Sequence, residues 1–469
     1  MGRIHTAHRH SLRAAFVVVA AAALLFAACG GDDDDDSASN TSSSTAGNGG
    51  KLEDLGHGVT ASTIKVGIAI IDYDAIKQFV DFTRGDQQKT AQVFVDYIND
   101  NGGIDGRKIE PVYKKYPPIP GSQPSPLSLC TAWTEDDQVF AVLGVFIDAT
   151  GDGLLCLTRD HNTIHIGHEL EQPWIDESPG GLMLTSDTTK EVAAKNLMNL
   201  LDDEGTLKDK KVGVLADQDS EQRANDVIGP GVEKAGATLG STAVLSISGT
   251  DTAAAQGQLD SFIEKWKNED VDTVFMAGLN VSAKQFVQKI KAEMPDALLI
   301  TDSSSTAEQA QDLVSAGTKP NPYEGMLGTI GATDSERWNN KNDLLKTCVD
   351  TYEKVTGTTV PGPDEVKPGP DGKTEQLYIA VTDFCGELFM FRTIAQKVGT
   401  DLTIENWQKT VDDFGSIKLV STDIASLCKD KYAADDAFRL VSFDSSIGQT
   451  GDWKPLTDVE DASGGACKK

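Results

Sequence analysis

The stretch from Ser62 to Tyr113 constrains this 469-residue chain more than any other. Ile64, Val66, Ile68, Ile70 and Ile71 form an almost unbroken apolar run that stops at Asp72-Tyr73-Asp74. Strict alternation would signal a strand with one wet face, whereas a continuous run signals a parallel strand covered on both faces. The next segment carries Ala91, Phe94, Val95 and Ile98 at helical spacing and closes on Asn101-Gly102-Gly103, where glycine supplies the left-handed turn that ends a helix. Ile109 to Tyr113 is the second strand. Strand, helix and parallel strand make a right-handed crossover, and the polar residues at the first strand's carboxyl end sit where open parallel sheets hold ligands.

The alternation continues along the chain. After a Pro-rich loop, Tyr116 to Pro126, a helix is expected around Leu127–Thr134. Strand three is Val139 to Leu143, closed by Gly144, and strand four is Thr163 to Ile166, closed by Gly167-His168-Glu169. A capping box, Thr188-x-x-Glu191, opens a second series with a helix through Ala193, Leu197, Leu200 and Leu201. Four strands follow, Val212–Leu215, Ala243–Ile247, Thr273–Met276 and Leu298–Ile300, each with its own helical pattern. Two longer helices come next, one with Lys341, Leu345, Cys348, Tyr352 and Val355 on a stripe, the other with Leu377, Val381, Phe384, Leu388 and Phe391. Phe438 to Phe443 and Trp453 are closing strands. Such a pattern predicts parallel sheets flanked by helices, an α/β fold.

The phrase Tyr97-Ile98-Asn99-Asp100-Asn101-Gly102-Gly103-Ile104-Asp105-Gly106-Arg107-Lys108-Ile109-Glu110 resembles the first lobe of type I periplasmic binding proteins. It is most similar to the leucine/isoleucine/valine-binding group that serves ABC importers. The likeness extends in element order from Ser62 to Asp458, and Glu-Gly-Met-Leu-Gly-Thr, within Tyr323 to Ala332, resembles the place where such chains cross back to the first lobe. It implies two Rossmann-like lobes with parallel sheets joined by a multi-strand hinge. Residues 61–186 and 332–425 would form lobe 1, residues 187–331 and 426–460 lobe 2, and 461–469 a tail.

The amino terminus has the marks of export. A basic stretch to Arg13 precedes fifteen apolar or small residues, Ala14 to Ala28, too few to span a bilayer but suited to a signal peptide. Phe26-Ala27-Ala28-Cys29-Gly30 resembles a bacterial lipoprotein box, which implies a lipid on Cys29 and an extracytoplasmic, membrane-anchored protein; ordinary cleavage is the alternative. Residues 29–60, in which Asp32 to Gly50 holds five aspartates and a Ser/Thr/Asn/Gly-rich run, are expected to be a self-repelling tether. Removing residues 1–28, which hold Arg3, Arg9 and Arg13 and no acid, leaves 39 Lys and Arg against 72 Asp and Glu, a net −33. So acidic a chain repels nucleic acid and anionic headgroups, which excludes both as general partners.

Six further cysteines, 130, 156, 348, 385, 428 and 467, permit fifteen pairings. Cys130 and Cys156 fall on helices flanking one strand of the first lobe and are expected to pair. Cys348 and Cys385 lie on the apolar faces of consecutive helices, and Cys428–Cys467 remains by elimination.

Catalytic and cofactor signatures are lacking: no Gly-x-Gly-x-x-Gly follows either lobe's first strand, and there is no P-loop, Gly-x-Ser-x-Gly elbow or His-Glu-x-x-His. The chain is therefore expected to be a binder without cofactor, not an enzyme. His161, His165, His168 and Glu169 gather three of four mature histidines. Zinc would suit such a set, but His165 falls mid-strand and His161 in the preceding turn, so no metal site is expected. Carried over by position, the resemblance implies first-lobe contacts from Asp72, Tyr73, Phe146, Asp148, Thr150, His168 and Glu169. Second-lobe contacts would come from Asp217, Gln218, Asp219, Leu279, Asn280, Asp302 and Ser303. The chain departs from the amino-acid binders in having Ile147-Asp148-Ala149 where they place serines, only Asp302 near their ammonium-binding acid, and no aromatic after Leu215. The extra carboxylates favour a solute with a cationic or hydrogen-bond-donating head, such as an amine, amide or urea. A small polar solute and ABC permease subunits are the expected partners. A sensor presenting solute to a receptor, or a secreted enzyme using the cleft, are the alternative readings.

Overall fold

The computed structural model describes residues 52–463 and Cys467, apart from short breaks at 79, 81, 120, 149, 169, 247–251, 279–282, 304, 368 and 371. The signal peptide, Cys29 and most of the expected tether lie outside the described residues, as do Glu169, Leu279 and Asn280.

Two large sheets form, beside three two-stranded ones among the described residues. In the first, β1 (Thr63–Ile71), β2 (Lys108–Tyr116), β3 (Ala141–Leu143), β4 (Ile164–Gly167) and β5 (Met183–Thr185) lie in the order β2-β1-β3-β4-β5, all parallel. β1 is flanked on both edges, and Val66 to Ile71 are buried throughout, which is why its apolar run has no polar alternation. The three-residue β5 has no counterpart in the sequence reading.

The helix after β1, α1 (Gln87–Asp100), starts from Asp86, whose side chain accepts from Lys89 N at 3.0 Å. It buries Ala91, Phe94, Val95 and Ile98 as expected. The family-like phrase that follows is a set of backbone clamps. Asn99 exchanges two hydrogen bonds with the backbone of Ile109, at 2.7 and 2.9 Å. Gly103 sits at φ 66°, where a Cβ would collide with the Arg107 carbonyl oxygen. The buried Arg107 guanidinium donates to the carbonyls of Glu53, Thr60 and Thr400, tying the amino-terminal segment to a distant loop.

The second sheet contains β6 (Lys211–Asp217), β7 (Thr238–Leu245), β8 (Thr273–Ala277), β9 (Leu298–Thr301), β10 (Leu327–Thr329), β11 (Leu440–Asp444) and β12 (Asp452–Pro455), ordered β12-β11-β10-β9-β8-β6-β7. Five strands are parallel, and β11 and β12 add antiparallel. β7 begins five residues before the expected Ala243, and Ile247 lies outside the described residues. The helix α2 (Lys190–Asp203) corrects another expectation: its cap is Thr189, which accepts from Val192 N, not Thr188. Glu191 does not close a capping box, because its carboxylate is drawn to Gln172 N at 2.6 Å and towards Arg223.

The later helices α3 (Asp343–Thr356), α4 (Leu377–Val398) and α5 (Ile404–Asp412) pack on the first sheet's core, which also takes in Leu427, Tyr432 and Ala434. Three disulfides are present, Cys130–Cys156, Cys348–Cys385 and Cys428–Cys467, the pairings expected from the sequence. Among the described residues no helix is long and apolar enough to cross a membrane.

Three segments connect the two halves: 186–189, 330–333 and 434–439. They are laced together by Thr185 pairing with Ala433, Asp435 N donating to the Asp187 carbonyl, and Ile330 and Arg439 exchanging backbone bonds.

Candidate functional site

The two sheets meet by their carboxyl edges. Arg223, just beyond β6, donates to Glu171 of the segment after β4 at 3.2 Å and to Asp302 beyond β9 at 2.8 Å. Its third partner is Ser220 Oγ at 3.0 Å, and Glu191 lies at 3.6 Å. Lys190 stands 3.5 Å from Glu171. The Arg223 and Asp302 side chains are each only 1% exposed. Burial works against the charge on Arg223, but Asp302, Glu171 and Glu191 outweigh it and raise its pKa above the already high ordinary value. Asp219 is held above the usual carboxylate range by desolvation and by Asp217, Glu171 and Asp148. Acids from opposite sheets thus feel one another across the cleft.

A second cluster gathers at the connecting segments. His168 Nδ1 lies 2.6 Å from Asp187 Oδ2, and its Nε2 lies 2.9 Å from Glu387 Oε1. Arg84 donates to Asp383 at 2.9 Å, Arg337 pairs with Asp334, and Tyr378 OH donates to Asp334 at 3.2 Å. Burial opposes a charged His168, but Asp187 and Glu387 hold its pKa well above the ordinary imidazole value. Desolvation is the main cause that pushes Glu387 and Asp435 up to about 7. Asp187 keeps 44% of its side-chain surface accessible and Arg337 33%, while Glu387 keeps 1%. Accessible charges therefore stand in front of a sealed one.

Of the residues expected at the site, His168 is drawn into this second cluster, and Asp302 and Asp219 belong to the first. Asp217 accepts from Ser220 N at 2.9 Å and shapes its own turn, and Gln218 is exposed beside it. Ser303 N donates to Thr301 Oγ1 at 3.2 Å. Asp148 spends its carboxylate on its own loop, accepting from Gly153 N at 2.6 Å and from the exposed Thr150 at 3.0 and 3.2 Å. Asp72 pairs with Lys115 at 2.9 Å, which is the main cause that lowers its pKa, and Tyr73 meets the edge of Phe82. Phe146, also expected at the site, turns inward. It is 1% exposed and packs edge-on against Tyr116, Trp133 and His165, because an aromatic ring gains more from a core than from a charged cleft.

The histidine run does not converge. His165 is buried mid-strand with its pKa lowered to about 4 by desolvation, and His161 pairs at long range with Glu135, at 3.9 Å. Cys130, Cys156 and His161 come within 4.8 Å of one another, but the two sulfurs are bonded to each other, leaving one free ligand.

Sequence reasoning missed Arg223, Glu171, Asp187, Arg337, Asp383 and Glu387. A signal existed for the last two: acids four apart inside the apolar stripe of a 22-residue helix.

The family model described as periplasmic binding protein matches residues 82–367, well over half of the chain, and the chain belongs to that family. Its fold is the two-lobed type I architecture. Solved structures agree. A solute-binding protein of an ABC transporter from R. palustris, in complex with 4-hydroxybenzoate, is 13% identical, with 85% of this chain and 97% of that one covered at a TM-score of 0.61. A leucine-binding protein from Thermotoga maritima is 9% identical, with 86% and 100% covered at 0.60. A fatty acid ABC transporter substrate-binding protein from Thermomonospora curvata is 17% identical, with 87% and 95% covered at 0.59. No curated protein matches the chain.

Proposed function

We propose that this protein is the extracytoplasmic solute-binding component of an ABC importer, held to the membrane through Cys29, and that it closes on a small polar solute such as an amino acid or amide. One observation carries the reading: carboxyl-edge residues of both sheets, Glu171 and Asp148 on one side and Arg223 and Asp219 on the other, face each other across the cleft. Strand ends at such an edge hold ligands in open α/β sheets, and closure about a few connecting segments encloses them. A buried donor or acceptor left unpaired costs about 1–3 kcal/mol, so closure selects solutes that satisfy both lobes. The relatives with bound benzoate derivatives or leucine support a small-molecule cargo. The acidity of both clusters supports a cargo carrying N–H donors.

Thermal melting against amino acids, amides, polyamines, aromatic acids and sugars tests it. A shift of several degrees with amino acids or amides is the expected result, and a response to sugars alone would overturn it.

A further inference from the structure

The hinge cluster is not electrically closed. Five carboxylates, Asp187, Asp334, Asp383, Glu387 and Asp435, face Arg84, Arg337 and His168, leaving acids in excess even with the imidazole charged. The cations are engaged: Arg84 with Asp383, Arg337 with Asp334, His168 with Asp187 and Glu387. The acids are not. The Glu387–His168 contact is close but lacks hydrogen-bond alignment, and among the described residues neither Glu387 oxygen accepts a hydrogen bond although the side chain is 1% exposed. A buried carboxylate whose one close partner is the misaligned His168 is costly, and its charge is set against that of the accessible Asp187.

Position strengthens the case. Asp187 is on the first connecting segment, Asp334 and Arg337 directly follow the second, and Asp435 is on the third. Asp435 accepts from Ala437 N at 2.8 Å through Oδ1 only.

We propose that this cluster is the head-group subsite of the cleft and that it takes an organic cation, a primary ammonium or an amidinium. Two or more N–H groups on such a head donate to Asp187 and Asp435, and its charge compensates the excess that Glu387 carries behind them. Because the acids lie on connecting segments already joined by backbone hydrogen bonds, a cation bound there acts at the hinge about which the lobes close. The proposal rests on the solute-binding reading and specifies its cargo.

Cation binding must also displace protons. The groups facing Glu387 are His168, Asp383 and Asp187; those facing Asp435 are Asp187, Arg337 and Asp436, the last paired with Lys431 at 3.0 Å. With both raised acids titrating near 7, a bound cation favours their ionised forms, so affinity rises from pH 6 to pH 8.

Benzamidinium, benzamide and benzoate offer one shape with three charges, and agmatine, putrescine and leucine extend the set. Calorimetric titration of the mature protein is expected to show binding by at least one cation. Affinity should fall tenfold or more in Asp187→Asn and in Glu387→Gln, and be unchanged in Glu293→Gln on the far surface. Asp187 is accessible, so its variant remains informative if Glu387→Gln misfolds. Binding by leucine, benzamide or benzoate with no cation bound overturns the subsite and leaves the solute-binding reading standing. Cation binding indifferent to both substitutions also overturns it. No binding by any member also overturns the subsite, and the solute-binding reading is then decided by the wider melting panel.

Discussion

Two charged clusters occupy the cleft, and they differ in how completely their bonds are made. Around Arg223 each guanidinium contact has an oxygen facing it: Asp302, Glu171 and Ser220 accept, and Glu191 completes the ring. Around His168 the carboxylates outnumber their donors, and Glu387 has no aligned one. A saturated buried network fixes geometry, because breaking any member strands the rest. An unsaturated one stores a cost that a ligand can remove. The Arg223 cluster is accordingly a structural latch between the sheets, and the hinge cluster is where binding energy is gained.

The sharpest way to break that contrast is to remove the centre of the latch. Arg223→Met leaves the buried Asp302 without its cation and Glu171 with only the distant Lys190, and the expected loss of stability is about 3–5 kcal/mol, read from urea unfolding. A loss below 1 kcal/mol would mean that the latch is as incomplete as the hinge. Opening the Cys130–Cys156 loop by a double alanine substitution is expected to cost about 3.5 kcal/mol for a span of 26 residues, without altering either cluster. That variant calibrates what loss of stability alone does to solute affinity.

The hinge cluster is expected to answer to pH instead. Glu387 is raised from 4.5 to about 7 in the folded protein. A raised acid binds more protons folded than unfolded, so its contribution grows as pH falls from 8 towards 5 and is absent above 8. Between pH 8 and pH 6 the folded state is expected to gain about 1 kcal/mol from this group. Glu387→Gln should flatten that part of the profile, while Arg223→Met leaves its slope intact. His168, with its pKa raised, works in the same sense, since its pairing is present at low pH and lost as pH rises through the folded value. An unchanged slope in Glu387→Gln would place the proton elsewhere.

The sequence made the scaffold legible and the clusters much less so. β1 and α1 announce themselves because every residue needed to identify them is local: a buried run, a helical stripe, a glycine turn. Even the Asn99 and Arg107 clamps fall inside the phrase that carried the family likeness. Arg223 meets partners 52 and 79 residues away, and no local period encodes such a meeting. Phe146 is buried, and loop position says nothing about whether a ring turns inward. Asp148 and Asp217 lie beyond strand ends as expected, but both oxygens of Asp148 and one of Asp217 accept from their own turns. Conversely, Asp383 and Glu387 conflict with the apolar helix around them, and such local conflict is a sequence-level sign of function.

The finest test of saturation is Lys190. Its ammonium lies 3.5 Å from Glu171 at a side-chain exposure of 21%, on the outer margin of the latch. If the latch is held by its hydrogen-bonded geometry, Lys190→Met removes a screened charge while Arg223 continues to serve Glu171. The expected effect is then about 0.5 kcal/mol or less, lost at high salt. If the latch depends on total charge, removing one of its two cations should cost about as much as removing Arg223. Melting temperatures of the two variants at low and high salt separate these cases, because a geometric latch keeps Arg223→Met far below Lys190→Met under both conditions, and a purely electrostatic one brings them together.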